Sequence, residues 1–267
     1  MGEAKSIRVE PISATDANRI VRDVHYSGKV DTRSQLHFGV FMGGRCGGAI
    51  QLGPPIDKRK ALGAVRGAKW HDMLDLHRLA FADWLPRNSE SRAISVMLRC
   101  VKKAYPCVRW VQSYADAAQC GDGAIYRASG FSLIGIKPNT SMYRMPGGEV
   151  CCNVVFQPGF QPNAGPGSVK AKYGKTGSET AGRFLRRIGA ERLPGFQLRY
   201  IYFLDPDARK DLAVPEIPFS EIKARGAAMY RGKKQRAGSI VADASAIQAE
   251  EGGSVPTPAL HSKAAAS

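Results

Sequence analysis

Met73-Leu74-Asp75-Leu76-His77-Arg78-Leu79-Ala80-Phe81, with Ser89 to Ala104 and Val108 to Tyr114 behind it, is the stretch that decides the fold. The first segment reads as a strand ending near Ala82, and 82–90 as a loop. In the second, Ile94, Val96, Met97, Leu98 and Val101 include the spacings of a packed helix face. Pro106 stops that helix, because it has no N–H to continue the ladder. Val108 to Tyr114 is again β-rich. The three make a strand–helix–strand crossover, and ligand sites lie at the carboxyl edge of such strands.

Around this crossover the chain reads mostly as antiparallel hairpins. Residues 7–12 alternate as a strand. Ala14 to Val24 reads as a helix, with Ser13 or Thr15 as its N-cap. Residues 36–41 and 46–52 form a hairpin turned at Gly43-Gly44 and ended by Gly53-Pro54-Pro55. The basic, glycine-rich stretch 56–71 reads as a surface loop. After a turn at Gly121-Asp122-Gly123 comes a helix, Ala124 to Ser129, closed by Gly130. Residues 131–136 and 142–145 read as another hairpin. Gly, Pro, Asn and Ser then dominate 147–182, a long excursion of the kind that folds over a ligand. Gly195 to Leu204 reads as a further strand.

The expected class is therefore α+β, a mixed central sheet flanked by helices. The expected division is a core over 1–146, a loop-rich extension with an added strand over 147–231, and a disordered basic, Ala-rich tail over 232–267.

The 267 residues carry 39 Lys+Arg against 23 Asp+Glu, a net +16 that favours a polyanionic partner. Lys58-Arg59-Lys60, Lys69 and Lys29 are the candidate contacts to a nucleic-acid backbone. No window is apolar over the ~18 residues a spanning helix needs, and no apolar h-region follows the N-terminal charge. The expectation is a cytoplasmic protein without a membrane partner. The six cysteines form no CxxC pair and read as reduced thiols.

Five places carry candidate chemistry. Pro86-Arg87-Asn88-Ser89-Glu90-Ser91-Arg92 sets hydroxyls and two arginines at a helix N-terminus, a phosphate-binding arrangement or an ordinary cap. Asp116 ends a strand where a carboxylate deprotonates an amine, or merely makes a turn. Tyr126 is a phenol for proton transfer or a core tyrosine. His25-Tyr26-Ser27-Gly28-Lys29 is a reactive loop or a solvated turn. Arg78, in an apolar strand, calls for an anionic partner such as Asp116, Asp75 or a ligand phosphate. His25, His37, His77 and Asp116 are the right types for iron or zinc, without supporting spacing.

Taken together, these motifs resemble the phage Mom family of DNA-modification proteins. The resemblance rests on 25–29, Phe38-Gly39-Val40-Phe41, Gln51-Leu52-Gly53-Pro54-Pro55, Leu76-His77-Arg78-Leu79-Ala80, 86–92, Tyr114-Ala115-Asp116, Gly123-Ala124-Ile125-Tyr126 and Arg199-Tyr200-Ile201-Tyr202-Phe203-Leu204, so it spans about 7–225. It implies a GNAT-like fold and conversion of adenine in DNA to N6-carbamoylmethyladenine, which protects phage DNA from host restriction. The alternative is a GNAT-like N-acetyltransferase of small amines or proteins. The resemblance places catalysis on His25, Tyr26, Arg78, Ser91, Asp116 and Tyr126, and the donor at Arg87, Asn88, Ser89, Ser91 and Arg92. One departure is that 87–92 lacks the glycines of the GNAT pyrophosphate turn. The donor is then acetyl-CoA or glycyl-tRNA. Duplex DNA is the expected partner, with tRNA if it supplies the donor. Iron is implied for the family, and the metal of this chain is left open, as is its oligomeric state.

Overall fold

A computed structural model describes residues 3–157, 168–230 and 233–234. The expected tail, 233–234 apart, lies outside the described residues. In chain order the elements are β1 (Arg8–Pro11), α1 (Ala14–Val24), β2 (Leu36–Met42), β3 (Arg45–Gly53), α2 (Lys58–Leu62), β4 (Met73–Phe81), α3 (Ser89–Ala104), β5 (Trp110–Asp116), α4 (Ala124–Ala128), β6 (Ser132–Pro138), β7 (Met142–Arg144), β8 (Val150–Cys152), α5 (Val169–Lys172), α6 (Ala181–Arg187), β9 (Glu191–Arg192), β10 (Phe196–Phe203) and α7 (Ser220–Ala224). The main sheet runs β1-β2-β3-β4-β5-β10-β6, and β8-β7-β9 form a second, smaller sheet. The class is α+β with a mixed central sheet flanked by helices, as expected.

Local chemistry accounts for the elements. Ser13 caps α1 by accepting from the Asp16 N–H at 3.0 Å. On α3, Ala93, Ile94, Met97, Leu98 and Val101 are buried, a stripe at 3.6 spacing packed with Ile50, Leu76, Val111, Leu133 and Leu198 of the sheet. The other sheet face packs Ala17, Ile20 and Val21 of α1 against Ala49 and Ala80.

The crossover is parallel but short. β4 and β5 pair only at Met73↔Trp110, Leu74↔Val111 and Asp75↔Gln112. Beyond that the strands part. A bulge helps to open them: β3 pairs Leu52↔Leu76 and Gln51↔Arg78, which leaves His77 as an extra residue in β4. Bulges bend the strand that carries them and recur beside active sites.

Three local expectations change. The 131–136 and 142–145 segments do not form a hairpin with each other: β6 pairs with β10, and β7 with β8 and β9. β10 lies inside the main sheet, between β5 and β6. Residues 56–71 are not merely a surface loop, since Ala61, Ala64 and Val65 pack with Met73, Trp110 and Ile201 behind α2.

Candidate active site

The C-terminal end of α1 delivers the 25–29 loop toward the opened strands. The backbone N–H of Ser27 donates to His25 Nδ1 at 3.2 Å, which puts the proton of the neutral ring on Nε2. Burial, helped by the Arg78 charge, pulls His25 down to about 4, so it is neutral at physiological pH. Its ring backs Tyr26, with centroids 4.2 Å apart. Tyr26 is 55% exposed. Its phenol is pushed up by burial of the hydroxyl end and by Cys120 and Asp116, and pulled the other way by Arg78.

Arg78 follows the bulge directly. Its Nε donates to the Lys29 carbonyl at 2.8 Å and its Nη1 to the His77 carbonyl at 2.7 Å. Among the described residues no carboxylate pairs with it; these two backbone oxygens hold the guanidinium, which pins the 25–29 loop and leaves its charge open to an anionic ligand.

Asp116 ends β5. Its Oδ1 accepts from the Ala118 N–H at 3.0 Å and from Asn139 Nδ2 at 2.8 Å, and its Oδ2 accepts from Gln119 Nε2 at 3.3 Å. The carboxylate thus shapes the 116–120 turn and leaves Oδ2 the less engaged oxygen. Cys120 Sγ donates to the Asp116 carbonyl at 3.2 Å, and burial pushes its thiol up.

Tyr126 comes from α4. Its ring packs on Phe131 and Tyr200 at 5.5 and 5.3 Å, and its hydroxyl bonds Ser113. Burial pushes its phenol well above the ordinary value. The α4 turn is fixed by Tyr200, whose hydroxyl donates to the Asp122 carbonyl at 2.5 Å while Arg127 bonds both. Gly123, at φ 84°, is required there: a Cβ would stand 2.4 Å from the Tyr200 ring.

Beside this cluster is a cavity of about 700 Å³, lined by Tyr26, Ala118, Gln119, Arg144, Glu191 and Pro194 among others. Its volume suits a small-molecule site. The small β8-β7-β9 sheet supplies one wall through Arg144, Val150 and Glu191.

The sequence model of the Mom protein family matches residues 6–221. This chain belongs to the Mom protein family. It is 34% identical over 213 residues to the methylcarbamoylase Mom of Escherichia phage Mu, across 78% of this chain and 80% of that protein. It is a transferase of that family. Among solved structures, a ribosomal-protein alanine N-acetyltransferase from Escherichia coli is similar with TM-score 0.40 and 11% identity, covering 74% of this chain and 94% of that one. An N-acetyltransferase from Staphylococcus aureus Mu50 gives 0.39 and 10%, covering 74% and 97%.

In this Mom-family chain the expected donor residues gather at the start of α3. Asn88 precedes the helix at φ 71°, the left-handed region that glycine usually fills. Ser89 is buried and its hydroxyl donates to the Pro86 carbonyl at 2.6 Å, so it holds the turn from within. Ser91 Oγ donates to the Asn88 carbonyl at 3.2 Å. Arg87 and Arg92 are exposed. Lys29 sits at the cluster, its Nζ 3.8 Å from Cys151 Sγ. Lys58 and Lys60 instead lie over Trp70 and Tyr114, at 3.8 and 5.9 Å. Lys58, Arg59, Lys60 and Lys69 do not line the cavity.

The described residues do not fit a metal. Among the described residues no three His, Cys, Asp or Glu side chains gather around a common point. His25, His37 and His77 instead bond Ser27, Gln51 and Ser34. Among the described residues no helix is long and apolar enough to cross a membrane.

Asn139 and Gln119, which tie down Asp116, were not singled out in the sequence. Neutral amides in loops carry no local signal of function.

Proposed function

We propose that this chain transfers an activated acyl group to the N6 amine of adenine in DNA, in the host-cell cytoplasm, leading to N6-carbamoylmethyladenine and protection from restriction. One observation carries the reading: Cys120, Asp116, Arg78 and Tyr126 all bear on the Tyr26 phenol, beside the cavity and the opened strands. The relationship to a methylcarbamoylase supports it.

A duplex adenine is inaccessible in the stack, so it must be extruded. Tyr26, backed by His25, offers a face for it. Asp116 Oδ2 takes the proton as the amine attacks. Arg78, with its charge uncompensated, stabilises the oxyanion of the tetrahedral intermediate. Tyr126 stays protonated at neutral pH and so acts as acid toward the leaving oxygen. The α3 N-terminus with Arg87, Ser91 and Arg92 holds donor phosphate.

The product's connectivity selects the donor. Acetyl transfer gives N6–C(=O)–CH₃, whereas the product is N6–CH₂–C(=O)–NH₂. Reaching it from acetyl needs an oxidation and an amination. A glycyl ester needs neither. Attack by adenine N6 on its carbonyl gives N6-glycyl-adenine and releases the ester hydroxyl. The free α-amine then attacks C6 through a five-membered ring, and the original nitrogen departs as the amide. Glycyl-tRNA is such an ester, and a +16 chain suits a polyanionic donor.

The test is isotopic. Cells producing this protein receive glycine labelled at nitrogen, and the amide of the modified base is then hydrolysed. Label retained on the purine at C6 is expected. Label released as ammonia would refute the glycyl route, and the absence of modified adenine would refute the function.

A further inference from the structure

Gln119 Nε2 donates to Asp116 Oδ2 at 3.3 Å and to Met142 Sδ at 3.6 Å, two acceptors for its two N–H groups. That fixes the orientation of the amide, because the opposite flip would face Oε1 against a carboxylate oxygen. Oε1 has no partner among the described residues, and Gln119 lines the cavity. The part of the amide left free for a ligand is therefore an acceptor and nothing else. Tyr26 lines the same cavity and carries His25 on one side of its ring. An aromatic platform beside a fixed, unpaired acceptor is chemistry for a flat heterocycle bearing an amino group.

We infer that this cavity is a purine pocket in which Gln119 Oε1 selects adenine by accepting one hydrogen of its exocyclic amine, an assignment that rests on the DNA-adenine reading. Guanine or hypoxanthine would bring a carbonyl oxygen against Oε1, two acceptors facing each other. Purine without the amine would leave Oε1 unpaired as the base fills the cavity, and such unpaired polar groups reject a ligand strongly. Asp116 is then also a positioning residue for selection: its carboxylate holds Gln119 in the one orientation that reads the amine.

The test is equilibrium binding of the full chain, without donor, to a duplex carrying one adenine opposite an abasic site, so that extrusion costs little. Matched duplexes carry purine or hypoxanthine at that position. The parent should bind the adenine duplex about tenfold tighter than the purine duplex, the size of one hydrogen bond, and hypoxanthine no better than purine. Gln119→Leu should lower adenine binding to the purine level and leave the salt dependence unchanged. Equal parent affinity for adenine and hypoxanthine, which needs no variant to fold, would overturn the inference. So would discrimination that survives in Gln119→Leu. A parent that binds none of these duplexes would overturn the DNA reading and the inference with it.

Discussion

At the residue scale, Asp75 and His25 have opposite pH signatures. Asp75 is 7% exposed with Oδ1 unpartnered, and burial pushes its carboxyl up to about 7. A carboxyl raised on folding binds more protons in the native state, so its contribution is intact at low pH and is lost as pH rises through about 7. Asp75→Asn should therefore stabilise the protein at pH 8 by a few kcal/mol, on the order of 2–4, and matter little near pH 4. Urea midpoints at the two pH values check it; equal effects would contradict the assignment. His25, depressed to about 4, costs stability as pH falls from its ordinary 6.5 toward that value, because the unfolded ring protonates first. Replacing it with Gln should flatten that limb of the pH profile. Tyr126→Phe should cost ~1 kcal/mol through the lost Ser113 bond and about 10²–10⁴-fold in modification rate if the phenol is the acid. A variant that modifies normally would remove it from the chemistry. His25, Tyr26 and Arg78 were singled out in the sequence because each is reactive and out of place, a histidine and a tyrosine in a turn or an arginine in an apolar strand. Gln119 was not, since its meaning comes from a contact with Asp116 and a wall built by distant strands.

At the element scale, the loop from β4 to α3 rests on two backbone requirements. Asn88 occupies the left-handed region, which costs other non-glycine residues about 1–2 kcal/mol. Asn88→Gly should be nearly neutral in thermal unfolding, and Asn88→Ala should lose about 1 kcal/mol; the reverse order would contradict this account of the turn. Gly47 lies under Trp84, and a Cβ there would stand 2.3 Å from the indole. Arg45 covers the ring at 4.6 Å. Trp84 is thus held between Gly47 and Arg45. Gly47→Val should displace the indole, shift its fluorescence and cost about 1–3 kcal/mol. The crossover could be read from sequence because periodicity, a stop at Pro106 and β-rich flanks are local. The place of β10 between β5 and β6 could not, since its partners are 80 or more residues away for β5 and more than 50 for β6.

At the scale of the whole molecule, the charge of +16 and the opened sheet serve the same end. On the proposed reading, one gives affinity for polyanions that falls with salt, and the other gives a place for a base and an acyl donor to meet. The fold class was legible because hairpins and the crossover carry local patterns. The division of the chain was less so, because strands of both sheets interleave along the sequence after residue 130. The measurement that bears most directly on the account is mass spectrometry of nucleosides digested from plasmid of cells producing this protein or its Arg78→Ala variant. The account predicts N6-carbamoylmethyladenine with the parent and a loss of most of it with the variant, both proteins being soluble and equally abundant. Plasmid with unmodified adenine from the parent, or equal modification from both, would contradict it.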